Sequence, residues 1–147
     1  MGARLSAAGL SALVSVLLAG SSGCAATSCP AVYLHPIVHV DATAWVGPTL
    51  TPAGLKATVC VASHCVTAIP INQAKPDDLV GAVALSAGKA TVRVQITTSA
   101  GRTLDQSTTA EVTVSKPFGS GCAGREEIDL TVTAAGSLLP GRSANVS

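Results

Sequence analysis

Beyond Cys29 the apolar side chains recur at every second position. In KATVRVQITT (89–98), Val92, Val94 and Ile96 share one face, while Thr91, Arg93, Gln95 and Thr97 share the other. STTAEVTVSK (107–116) repeats this, with Ala110, Val112 and Val114 against Glu111, Thr113 and Ser115. EEIDLTVTAA (126–135) sets Ile128, Leu130, Val132 and Ala134 against Glu127, Asp129, Thr131 and Thr133. A period of two sustained in this way predicts half-buried antiparallel strands. The β-branched residues that fill these runs suit a pleated surface. Turn chemistry lies between them. SAGK (86–89) and SAGR (99–102) supply glycines, and KPFGSGCAG (116–124) is a Gly-rich connection into the last strand. KPDD (75–78) reads as a turn or a single helical turn, with the Asp77 and Asp78 carboxylates favouring a helix start. Short strands spaced by turns predict an all-β, antiparallel sandwich with a light core of Val, Ala, Leu and Ile.

The first residues break the pattern. Arg4 is followed by residues 5–20 without a charge, and then by Ser21, Ser22, Gly23, Cys24, Ala25 and Ala26. A basic start, an apolar run and small residues make a secretory signal. The run is short for a membrane span, which needs roughly 20 residues. The predicted organisation is a signal over 1–23, a linker over 24–28, one domain over 29–135 and a structureless tail over 136–147. Nine Lys and Arg face eight Asp and Glu, so removing Arg4 leaves a neutral mature chain. With no basic face and only Tyr33, Trp45 and Phe118 as aromatics, the chain does not read as a nucleic-acid binder.

Export also changes how the five cysteines are read, because an oxidising compartment favours pairing. Five is odd, and Cys24 lies at the cleavage region. SSGC (21–24) resembles bacterial lipoprotein signals, with small Gly23 before the cysteine but Ser21 where that family usually places leucine. The resemblance implies acylation of Cys24 and a membrane anchor. A cut after Ala26 would instead discard Cys24, and a free or intermolecular Cys24 is the third reading. The other four pair best as Cys60 with Cys65 and Cys29 with Cys122. In TVCVASHCVT (58–67), a hairpin that pairs the two cysteines gathers Ala57, Val59, Val61, His64, Val66 and Ala68 on one face. Thr58, Thr67 and the cysteines take the other, so this register separates apolar from polar residues. Its Ala62-Ser63 turn is a poor primed turn. A zinc site fails on the same geometry, because His64 and Cys65 are strand neighbours and point to opposite faces. His35 and His39 in an extended strand lie about 13 Å apart, too far for one ion. Cys-x4-Cys in an all-β chain is also not a redox motif.

No nucleophile elbow, phosphate loop or dinucleotide fingerprint occurs, and no cofactor is implied. Glu126, Glu127 and Asp129 could suggest general acid work or calcium, but Glu127 and Asp129 fall on the outward face of the last strand, where a solvated face is the default. Trp45 reads as a packing residue or as an exposed anchor for a partner. Residues 83–115, VALSAGKATVRVQITTSAGRTLDQSTTAEVTVS, resemble the closing strands of bacterial immunoglobulin-like sandwich domains. They depart from antibody-type domains, since no tyrosine lies two residues before any cysteine. The resemblance implies an immunoglobulin-like sandwich stapled by two disulfides, and no activity. The expected protein is therefore a non-catalytic β-sandwich, secreted or lipid-anchored in the cell envelope, with a binding or structural role and an unidentified envelope partner. The alternative is a secreted inhibitor or small-ligand-binding module that presents a loop such as 116–124.

Overall fold

The computed structural model describes residues 28–47, 54–72 and 74–141. The strands are β1 (Ile37–Asp41), β2 (Leu55–Val61), β3 (His64–Asn72), β4 (Lys75–Ala82), β5 (Gly88–Thr98), β6 (Thr103–Ser115), β7 (Arg125–Val132) and β8 (Leu138–Pro140); one short helix, α1 (Thr43–Val46), follows β1. Neighbours run β1-β4-β3-β2-β5-β6-β7, and β7 pairs back with β1. All contacts are antiparallel except this closing one, where β1 and β7 run parallel with His39 opposite Asp129. The protein is thus a closed, mixed seven-strand barrel and not the antiparallel immunoglobulin-like sandwich expected from sequence.

Two corner strands account for the difference. β3 pairs with β2 through Ala68 and then with β4 from Ile69. The long β6 pairs with β5 through Val112 and then with β7 from Thr113. Each carries hydrogen bonding from one half of the molecule into the other, so two sheets become one closed surface. Closure leaves β1 paired along both sides, with no exposed edge to protect.

The interior follows the period-two pattern. Val92, Val94 and Ile96 of β5 and Ile128, Leu130 and Val132 of β7 are fully buried, with Val38 and Val40 of β1, Val59 of β2 and Leu79 of β4. Burying a side chain of this size is worth about 1.5–3 kcal/mol. Val114 departs from the pattern and is exposed, since β6 has by then turned its corner. The β5–β6 hairpin turns at Gly101, which adopts a left-handed φ of 80° while its N–H bonds to the Thr98 carbonyl. Gly81 faces inward against β2 and β3, where a Cβ would lie 3.2 Å from both Val59 Cβ and Val66 Cγ2.

KPDD (75–78) is neither a turn nor a helix start. It opens β4, with Asp78 paired to Asp41 of β1. Pairing with β3 on one side and β1 on the other overrides local preference. The prolines are accommodated where the β3–β4 register shifts, between Pro70 and Asn72, a position that tolerates a missing N–H. Within the stretch read as a structureless tail, Leu138–Pro140 form β8 on β7 and Leu138 is buried. Residues 142–147 lie outside the described residues, as do the signal segment 1–23 and Cys24.

Trp45 of α1 is buried in the core. The Arg102 guanidinium lies 4.3 Å from its ring centroid and also donates to the Trp45 carbonyl. Asp41 starts α1 by accepting from the Thr43 N–H at 3.0 Å.

Candidate functional site

The chemistry-bearing side chains gather where the barrel closes. His39 sits mid-strand in β1, between Val38 and Val40, so its side chain takes the outer face. It is nonetheless only 7 % exposed. Antiparallel β4 brings Asp78 Oδ1 against His39 Nε2, and parallel β7 brings Asp129 Oδ1 to 3.4 Å from His39 Nδ1. Each ring nitrogen thus faces a carboxylate oxygen, although neither Nδ1 nor Asp78 Oδ1 completes a hydrogen bond. The trio ties together the three strands whose pairing closes the barrel. Both ring nitrogens are directed at carboxylates, and Nδ1 is closed to solvent.

Glu127 of β7 is also engaged. It accepts from Ser115 Oγ at 2.7 Å and from Arg125 at 3.3 Å. The solvated face expected for Glu127 and Asp129 is therefore a half-buried polar seam, created by the neighbouring strands β6 and β1. The alternation in YLHPIVHVD (33–41) places His39 outward, but nothing in it shows that carboxylates from β4 and β7 flank the ring. Among the described residues, no cluster of three His, Cys, Asp or Glu has the geometry to hold a metal ion.

Cys60 is bonded to Cys65, with Cα atoms 4.0 Å apart, and Cys29 to Cys122, with Cα atoms 5.4 Å apart. The hairpin register pairs Ala57 with Ala68, Val59 with Val66 and Val61 with His64. Its two-residue turn puts Ala62 at a φ of 53°. Two disulfides fit an oxidising, exported environment. The second one joins the arm before β1 to the 116–124 connection. That connection folds as two successive turns, with Gly119 N–H bonded to the Lys116 carbonyl and Cys122 N–H to the Gly119 carbonyl. Lys116 Nζ also donates to the Ser120 carbonyl at 2.7 Å. Beside this end of the barrel is an open cleft of about 410 Å³, lined by Tyr33, His35, Pro36, Leu85 and Glu126 among others. Tyr33 meets the His35 ring edge-on, with centroids 4.7 Å apart.

On the opposite strands, Arg93 of β5 grips Asp105 of β6 through two hydrogen bonds, and Gln95 adds a third. These bonds, Arg93's first, lower the Asp105 carboxyl to about 2.

No protein-family model, no curated protein and no solved structure matches this chain.

Proposed function

We propose that this is a non-catalytic, exported protein of the bacterial cell envelope, held on a membrane through an acylated Cys24 and serving a binding or structural role. The observation that carries the exported part is the pair of disulfides. Four of the five cysteines pair with each other, and the one left over, Cys24, stands at the end of the export signal. That parity fits acylation and removal of Cys24 equally, and the small Gly23 before Cys24 favours acylation. The enclosed His39 supports the non-catalytic part, because its nitrogens are directed at Asp78 and Asp129. Several acyl chains hold a protein stably on a bilayer where one is marginal.

Two measurements test this reading. Full-length protein should partition with the membrane fraction into detergent, and Cys24→Ser should release it or block its processing. An intact mass showing a lipid-free N-terminus after Ala26 would refute the anchor. Reproducible turnover by the purified protein, lost on one point change, would refute the non-catalytic reading. The cleft lined by Tyr33, His35 and Glu126 favours a small-ligand-binding module as the second reading. A ligand that raises the melting temperature of the wild type but not of Tyr33→Ser would support it.

A further inference from the structure

We propose that the end of the barrel carrying the Cys29–Cys122 disulfide is a membrane-contacting surface, seated on the bilayer by Tyr33 and Phe118. This inference rests on the anchor reading of Cys24. The chain has one Trp, one Tyr and one Phe. Trp45 is in the core, whereas Tyr33 is 79 % exposed and Phe118 42 % exposed. Both surface aromatics flank the same disulfide: Tyr33 lies four residues after Cys29, and Phe118 four residues before Cys122. Four residues reach at most about 14 Å. Val32, next to Tyr33, and Val114, at the corner of β6, are exposed as well. Four of the seven exposed large hydrophobic side chains among the described residues thus lie within eight positions of Cys29 or Cys122; the others are Ile69 and Ile71 on β3 and Leu139 on β8.

The tether selects the occupant. Cys24 and Cys29 are five residues apart, which span at most about 17 Å. An acylated Cys24 therefore holds this end of the barrel close to the headgroups. Tyrosine is favoured at that depth because its ring is apolar and its hydroxyl stays wet. Individually weak contacts gain from the high effective concentration that a short tether creates. Lys116 brings a cation to the same loop, where anionic headgroups attract it. The pair Ile69 and Ile71 on β3 has no such tether.

The test uses the full-length acylated protein in phosphatidylethanolamine–phosphatidylglycerol vesicles that contain nitroxide-labelled lipid. Tyr33→Trp and Phe118→Trp each add one indole, and buried Trp45 serves as the internal reference. Both introduced indoles should be quenched by the lipid nitroxide several-fold more than Trp45, and should be shielded from aqueous iodide. Ile69→Trp should show the reverse. Introduced indoles quenched by iodide and not by the lipid would overturn the proposal, as would lipid quenching of Ile69→Trp alone. If intact mass shows Cys24 unacylated, the anchor reading fails separately. The same variants added to the vesicles from solution then decide the surface: lipid quenching upholds it, and its absence overturns it.

Discussion

Removing the Cys29–Cys122 bond tests how much the barrel depends on its long-range staple. The bond spans 93 residues, and the loop-entropy relation assigns a closure of that length about 4.7 kcal/mol. That value assumes an unchanged folded state, which the structure puts in question. The arm before β1 lies outside any strand, so in Cys29→Ser with Cys122→Ser it is free to fray from Ile37 outward. Only some eleven residues then close the gap between the start of β1 and the start of β7. Closing so short a loop costs about 2.7 kcal/mol on the same relation, which the frayed native state regains. The expected loss is therefore between about 2 and 4.7 kcal/mol. The Cys60–Cys65 bond spans five residues within the paired β2–β3 hairpin, so its loss has no such relief and costs about 2 kcal/mol. For a domain of this size 1 kcal/mol moves the melting temperature by roughly 4 °C. Calorimetry should thus show falls of roughly 8–19 °C for the long staple and roughly 8 °C for the hairpin. Hydrogen exchange over residues 29–36 reports whether the arm has frayed. A long-staple loss smaller than the hairpin's, with the arm still protected, would refute the loop-length reasoning.

Three further outcomes follow from particular residues. Ala62→Gly should stabilise the protein by about 1 kcal/mol, because a positive φ at the first turn residue is the pattern that wants glycine; a lowered denaturation midpoint would count against it. His39→Leu should destabilise by about 2–3 kcal/mol, less than the 3–5 of a fully buried pair, because Asp78 and Asp129 are about a quarter exposed and turn to water. Urea unfolding measures this, and an unchanged midpoint would mean that the trio does not tie the closing strands. The Asp105 carboxyl should titrate by NMR near 2 in the wild type and higher in Arg93→Gln, where the Gln95 bond alone still lowers it. Since the folded-state value is depressed, its contribution to stability is present above the unfolded carboxyl's value of about 4 and is lost as pH falls through about 2.

The sequence by itself determined that the stretches forming β2, β3, β5, β6 and β7 are strands, and which face of most of them turns inward. Val92, Val94, Ile96, Ile128, Leu130 and Val132 are where the alternation put them, because the pleat enforces a period of two whatever the strand pairs with. The hairpin register around Cys60 and Cys65 was legible for the same reason, since a slip by one residue would turn every apolar side chain outward. The choice of partners was not legible. Alternation is unchanged whether β1 ends a sheet or joins β7 in parallel, so it does not separate a sandwich from a barrel. Corner strands compound this, because β3 and β6 change partners mid-strand with only a register shift at Pro70 and the exposed Val114 to mark the turn. KPDD became β4 because two neighbouring strands pair with it, and local turn preference does not carry that information. The surroundings of His39 were decided at the same step. Its enclosure by Asp78 and Asp129 comes from carboxylates 39 and 90 residues away in the chain, which meet the imidazole only once β1 lies between β4 and β7.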